Sequence, residues 1–484
     1  MCYNACMNSL PTTRPHNSRF HSFLMWFTAR ENIAVCVIAV VVLVLHLLII
    51  VKPSAMVFDE RIYVPAAKSF LSGSGLTITE HPPLGKWLIA GGIAIFGDNA
   101  VGWRIPSVIF GVASIFLFYL ICVRLVRKEA PEDETVTHDQ DPAKPGLTQK
   151  DRRWLKMRTF IPVFAAFLFA FENLSFIQAH IAMLDVFSVT FMLFGFLLYL
   201  RHQYWWCGVA MGLGMLCKAM VLLAILAIVV HWAFTRRHEI ANEIRHILNR
   251  LRKANSVAPS RAITDMGKLL ITVVMVWFVL LPLLEYPAVH HFANPISRTL
   301  EMLRFHVNFT VSLNESPIGS APWTWLSSPT SVIYWPDSTM LKWVSDHWIL
   351  DITSANPLYY ASVSWNIWTL IILSMLYSAY EIIRYRQVPH RVAAFVLSWF
   401  CGVYVLLIPI ELATGRLMFT YYLYPAVPAV CLAIAWSAWK LWRQMKKEKK
   451  RRGIFLCLLA SYSAATLVIF FFMSPFGGHF LFHS

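Results

Sequence analysis

Apolar runs and short basic blocks alternate along the chain. The apolar runs fall at about residues 32–51, 102–124, 159–177, 181–200, 204–217, 219–235, 269–288, 364–383, 392–411, 419–438 and 454–473. Most are near or above the ~18–20 residues that carry an α-helix across a hydrocarbon core, and the Gly and Pro scattered inside them are tolerated there. The pattern predicts an all-α polytopic membrane protein with about eleven transmembrane helices, the fifth being the shortest. The first run is too long for a signal peptide and lacks a small-residue cleavage site before Phe58-Asp59-Glu60, so it reads as a retained span. Two shorter amphipathic stretches, 62–71 and 84–96, predict helices lying in the membrane interface.

Composition supports this picture: 57% of the 484 residues are hydrophobic and only 14% charged, too few charges for a soluble domain. The formal net charge of +16 does not indicate nucleic acid, because the basic residues lie in blocks between apolar runs. Those blocks are Arg14, Arg19 and Arg30, then RLVRK through KDRRWLKMR, RRHEIANEIRHILNRLRK, RYRQVPHR and KLWRQMKKEKKRRG. With the N-terminus in the cytoplasm every block lands on the cytoplasmic side, as the positive-inside bias requires; the other parity exports them all. Residues 1–31 then form a cytoplasmic tail, 32–288 an N-terminal transmembrane module with a first external loop at 52–101, 289–363 a long external loop, and 364–484 a C-terminal transmembrane module. The stretch KEAPEDETVTHDQDPAKPG reads as a solvated, disordered linker. The nine cysteines show neither CxxC nor Cys/His ligand spacing, which argues against a disulfide framework or a structural zinc site. A transporter would use basic loops and intramembrane charges equally well, but it predicts an internal repeat, and none is evident.

The charged residues that stand out cluster at the external ends of the predicted spans. Asp59 and Glu60 follow the first span, Glu80 and His81 precede two prolines that fix an extended turn, Lys86 follows, and Arg104 begins the second span. Asp185 lies just inside the fourth span, Lys218 at the hinge between the fifth and sixth, and Arg416 in the turn before the tenth, followed by Tyr421 and Tyr422. A carboxylate or guanidinium at such depth needs a partner or a substrate, though simple snorkelling to water is the alternative for Lys86 and Arg104, and a purely structural pair is the alternative for Asp185. Trp323, Trp325, Tyr334 and Trp335 fit an interfacial aromatic belt, and such rings also stack on sugar faces. Asn356-Pro357 reads as the start of the return to the membrane.

In order, FDE, HPPLGKWLIA, FGDNAVGWRIPSVIFG, AHIAMLD, GMLCKAM and RLMFTYYLYPAVP resemble the protein O-mannosyltransferase family. SAPWTWLSSPTSVIYW with ITSANPLYY resembles its bacterial branch, which uses a phospholipid-carried sugar. The resemblance implies a GT-C glycosyltransferase of the plasma membrane: a polyprenyl-phosphate sugar, with mannose expected, is transferred with inversion to a Ser or Thr hydroxyl of an exported protein outside the cell. It gives Asp59 the role of general base and Glu60 that of its catalytic partner. Glu80, His81, Lys86, Arg104, Asp185, Lys218, Trp323, Trp325, Tyr334, Arg416, Tyr421 and Tyr422 become substrate-binding candidates, with Arg416 gripping the lipid phosphate through its planar fork. The chemistry is consistent: the acceptor hydroxyl needs a carboxylate to take its proton, and the phosphate leaving group needs positive charge. Glu80 directly precedes His81, whereas the mannosyltransferases usually carry an acidic residue one place earlier. The related aminoarabinose transferases have one near the same Pro-Pro, so a lipid acceptor is the alternative. Eukaryotic members often have histidine where Tyr422 stands, and a loop of about seventy residues cannot hold their β-trefoil domain. No cofactor is required by this chemistry. His290, His291, His306 and His347 could join Glu80 and His81 around a divalent metal, but unligated surface histidines are the simpler reading.

Overall fold

A computed structural model describes residues 30–128, 149–242, 245, 261–308, 319–327, 332–335, 341–344, 347–350, 359–384, 391–445 and 449–476. Most of residues 1–31, expected as a cytoplasmic tail, the acidic stretch expected as a linker, and Asn356-Pro357 lie outside the described residues, as do the side chains of Trp335 and His347. From the N-terminus run α1 (Arg30–Ile49), α2 (Glu60–Ser72), α3 (Leu84–Phe96), α4 (Ala100–Lys128), α5 (Gln149–Ala170), α6 (Asn173–His180), α7 (Leu184–Leu200), α8 (Tyr204–Cys217), α9 (Val221–Thr235), α10 (Arg261–Val289) and α11 (Pro295–Asn308). After the long loop come α12 (Trp365–Trp368), α13 (Ile371–Arg384), α14 (Arg391–Phe400), α15 (Leu407–Thr414), α16 (Val427–Gln444) and α17 (Lys449–Met473). Among the described residues, 7 helical segments are long and apolar enough to cross a membrane, and 8 if the bent pair α5–α6 is one span. Shorter apolar helices α7, α8 and α9 occupy the places expected for spans four to six.

Burial along each helix sorts the bundle into a centre and a lipid-facing shell. In α1, Val35, Ala39, Val42 and His46 turn inward, while Val37, Val40, Val44 and Leu48 form an exposed apolar stripe that only hydrocarbon can cover. Helix α7 is buried on nearly every side, packed on α4 and α8. Where α8 crosses α10, Gly208 and Gly212 let the backbones close up: a Cβ at either position would stand 2.6 Å from Leu269 O or Val276 Cγ1, respectively. Small residues four apart serve here because dispersion, not the hydrophobic effect, holds helices together in lipid.

The third apolar run is not one straight span. Glu172 ends α5 and caps α6, its carboxylate accepting N–H bonds from Leu174 at 3.0 Å, Ser175 at 2.7 Å and Ser364 at 3.0 Å, and the two helices meet at 61°. A capping carboxylate inside an apolar run is invisible to a window that counts hydrophobicity. The ninth span likewise contains a π turn at Cys401–Val405 between α14 and α15. Among the described residues, strands appear only within 289–363: β1 (Val332–Trp335) pairs antiparallel with β4 (Tyr359–Ala361), and β2 (Leu341–Val344) with β3 (His347–Leu350). The architecture is otherwise helical, as the run lengths predict. The first and second runs are joined by α2 and α3, where the interfacial helices were expected.

Gly212→Val is expected to force α8 and α10 apart and destabilise the protein by about 1–3 kcal/mol. Thermal unfolding in detergent measures this; an unchanged midpoint would mean that the crossing is not close-packed.

Candidate active site

The C-terminal ends of α1, α8, α10 and α15 and the N-terminal ends of α4, α7, α9 and α16 meet at one end of the bundle, with α2, α3 and α11 packed among them. Glu60 and Arg104 lock this end. Both are 0% exposed, and the guanidinium holds the carboxylate with two bonds, Nε to Oε1 at 2.8 Å and Nη2 to Oε2 at 2.9 Å. Glu60 also accepts the N–H of Val57 at 2.9 Å and of Ala182 at 2.9 Å. Arg104 spends its remaining donors on the carbonyls of Ile50, Lys52, Pro53 and Ala55. No donor of Arg104 is left for a phosphate, nor a free carboxylate edge of Glu60 for a substrate, so the pair folds the chain from Ile50 to Glu60 around itself.

One residue earlier the situation reverses. Phe58 is held at φ 43°, a left-handed conformation that strains a bulky residue, and its ring stacks on Tyr334 at 4.3 Å. Asp59 follows half-buried at the start of α2, its carboxylate hydrogen-bonded to the Tyr63 hydroxyl one turn on. Burial pushes the Asp59 carboxyl up to about 7, helped by Asp185 and Glu80 and opposed by Lys218 and the Tyr63 bond. Lys218 occupies the extended break between α8 and α9 and binds both oxygens of Asp185 at 2.8 Å. Its ammonium lies 5.4 Å from the ring centre of Tyr421 and 5.3 Å from that of Tyr422.

The loop before α3 brings in the imidazoles. His81 packs against Tyr63 at 5.8 Å and against His306 of α11 at 5.5 Å between ring centres. Burial, then Lys218, His306, Lys86 and Arg416, holds His81 well below the usual histidine range, so its ring is neutral. His306 is lowered to about 4 by burial and by Arg416 and Lys218, and it bonds to the Glu80 backbone carbonyl. Arg416 follows Gly415, whose φ of 61° turns the chain after α15. Its one described side-chain bond is a long 3.5 Å contact to the Tyr422 hydroxyl, and among the described residues it has no carboxylate partner. Three buried nitrogens here lack partners: His81 Nδ1, His306 Nδ1 and Arg416 Nε. An anion would satisfy Arg416 Nε and an N–H at His81 Nδ1, whereas the one N–H of neutral His306 already meets the Glu80 carbonyl, so its Nδ1 is an acceptor.

Asp59, Glu80, His81, Asp185, Lys218, Tyr334, Arg416, Tyr421 and Tyr422 therefore come together. Lys86, fully buried, turns to the Ile78 carbonyl at 3.1 Å and pins the loop that carries His81. Trp325 is 1% exposed, tied to Ser320 and Trp368, and has no face free for a sugar; Trp323 is 44% exposed and joins none of these contacts. No group of three or more metal-ligating side chains occurs among the described residues, and His306 turns to the backbone of Glu80 rather than its carboxylate, so the residues near Glu80 and His81 do not fit the suggested divalent metal. Tyr63 escaped sequence reading, and His306 was named there only as one of four histidines that could join a metal. Asp59 and Tyr63, four apart on one helix face, carried a signal for the first; nothing local marks His306, 225 residues after His81.

Residues 80–130, which include His81, Lys86 and Arg104 but not Asp59, match the family described as dolichyl-phosphate-mannose-protein mannosyltransferase. A polyprenol-phosphate-mannose–protein mannosyltransferase of Mycobacterium tuberculosis is 31% identical over 155 residues, 30% of this chain and 24% of that protein. This chain thus aligns with about a quarter of that relative's length. An undecaprenyl phosphate-alpha-4-amino-4-deoxy-L-arabinose arabinosyl transferase of Pseudomonas paraeruginosa is 39% identical over 77 residues, 14% of each chain. The fold is similar to that of the S. cerevisiae protein O-mannosyltransferase Pmt1-Pmt2 complex bound to the sugar donor, with TM-score 0.63 and 11% identity over 93% of this chain and 90% of that one.

Replacing Arg104 by Met while Glu60 stays is expected to lower stability by about 3–5 kcal/mol, because it strands a buried carboxylate. Pairing it with Glu60→Leu should recover part of that loss. Chemical unfolding of the single and double variants reads the difference; equal stability of Arg104→Met and the unaltered protein would show that the clamp is not needed.

Proposed function

We propose that the chain is a GT-C-fold member of the protein O-mannosyltransferase family, related to the aminoarabinose transferases, and that it moves a sugar from a polyprenyl-phosphate carrier to an acceptor hydroxyl with inversion. Mannose is the proposed sugar and a Ser or Thr of an exported protein the proposed acceptor. The N-terminus lies in the cytoplasm of a plasma-membrane protein and the site faces outward; the basic blocks support this, since Arg201, Arg236 and Arg261 border helix ends opposite Asp59.

One observation carries the reading. A carboxyl raised to about 7 stands near Lys218, and Lys218 and Arg416 both act on the same neutral His81, although these residues come from far-apart parts of the chain. Asp59 takes the proton from the acceptor hydroxyl as its oxygen attacks the anomeric carbon. The bond from that carbon to the phosphate oxygen breaks as the new one forms, and the electron pair leaves with the phosphate. Arg416 and Lys218 stabilise the charge gained there, and the neutral imidazole of His81 can donate one hydrogen bond to its oxygens. Asp185 orients Lys218 through both carboxylate oxygens, while Tyr421 and Tyr422 confine its ammonium. Glu60 and Arg104 hold the backbone that aims Asp59 and do not touch substrate.

Because Asp59 acts ionised, kcat/KM should rise with pH through about 7 and level off above it. Purified protein incubated with radiolabelled polyprenyl-phosphate mannose and a Ser/Thr-rich peptide measures this. In the same assay Asp59→Asn should lower kcat by about 10²–10⁴-fold and flatten the profile; transfer undiminished by that change would refute the base assignment. Arg416→Ala should reduce kcat/KM by about 10²–10³-fold, and an unaltered value would remove Arg416 from the phosphate site. Label appearing in lipid while the peptide stays unlabelled would move the acceptor to the aminoarabinose type.

A further inference from the structure

At the other end of the bundle a cleft of about 690 Å³ opens between the α7–α8 turn, the end of α9 and the start of α10. Helix α7 alone, 17 residues long, separates it from Asp185 by about 25 Å, so the cleft is not part of the site described above. Two features of its lining point to the same kind of ligand. Trp205 and Trp206, the second and third residues of apolar helix α8, are 53% and 65% exposed, and their indole N–H groups have no acceptor among the described residues. Indoles at the end of an apolar helix belong at the boundary between headgroups and hydrocarbon. Around the rest of the cleft, three cations face two carboxylates: Arg236 binds Glu239 at 2.6 Å, Lys268 binds Asp265 at 2.8 Å, and Arg261 reaches the same Asp265 only at 3.9 Å. Among the described lining residues one positive charge is left over, and the side chain of Arg261 is 95% exposed.

We propose that this cleft binds the headgroup of a monoanionic phospholipid of the phosphatidylglycerol kind. Its single phosphodiester charge neutralises the surplus cation, and the guanidinium forks of Arg236 and Arg261 match phosphate oxygens. The glycerol hydroxyls meet Asp265 and Glu239, which accept hydrogen bonds, and the indoles of Trp205 and Trp206 cover the glycerol–acyl junction. Free phosphate would have no use for two exposed indoles, and a zwitterionic headgroup would leave the extra charge uncompensated.

Native mass spectrometry of the full-length protein, released from detergent after exposure to phosphatidylglycerol, phosphatidylethanolamine or inorganic phosphate, tests this. Phosphatidylglycerol should remain bound in preference to phosphatidylethanolamine and resist displacement by inorganic phosphate. Arg236→Gln combined with Lys268→Gln should weaken retention about tenfold, and Trp205→Ala with Trp206→Ala should weaken it as well. Should the charge variant fail to fold, as judged by circular dichroism, Arg261→Gln replaces it, since that side chain bears little structural load. Equal retention of the two lipids, displacement by inorganic phosphate, or wild-type retention by the charge variants would each overturn the proposal.

Discussion

The candidate site depends on one buried ion pair. Arg104 and Glu60 sit with no exposure at the end of a membrane bundle, where an unpaired charge would be costly, and they satisfy each other together with six backbone groups. The guanidinium gathers four carbonyls from the chain after α1 and ties them to the start of α2, while the carboxylate reaches across to Ala182 just before α7. Three elements distant in sequence are thereby fixed around Phe58 and Asp59. Phe58 can persist at a positive φ because that surrounding network leaves the backbone no relaxed alternative.

The charges around the site divide by how fully they are paired. Glu60 and Arg104 are saturated and serve as structure. Asp185 and Lys218 are paired, but the ammonium also lies close to two tyrosine rings, near enough to Asp59 to hold its carboxyl down against burial. Asp59 has only a tyrosine hydroxyl, and Arg416 only a long contact to another. The least satisfied groups are the ones with chemistry to offer, because binding energy and proton affinity not spent on the protein remain for a ligand. The neutral imidazoles fit the same logic, since burial, and after it the nearby cations, keeps them from adding a further charge.

The pinning of the His81 loop shows how second partners give the site its shape. Lys86 holds Ile78, Arg298 bridges Glu285 and the Thr79 carbonyl, and His290 meets Gly73. Each contact joins the 73–86 stretch to itself or to the α10–α11 corner, so the position of His81 depends on that corner as well as on its own prolines. Helix α11 brings His306 to the same place, making this part of the long loop a part of the site.

Much of the fold was legible because it rests on local quantities. Run length decides whether a helix can cross hydrocarbon, and the alternation of basic blocks decides which helix ends lie together; both are written in consecutive residues. The break at Glu172 was hidden because its cause is a set of hydrogen bonds reaching as far as Ser364. At the site, sequence named most of the residues but could not rank them. Asp59 and Glu60 are neighbours of one chemical type, and so, by position at a span's end, are Arg104 and Arg416. Only the folded chain separated them, by spending the donors and acceptors of Glu60 and Arg104 on each other and on backbone groups, and leaving Asp59 and Arg416 each with no described side-chain partner but a tyrosine hydroxyl.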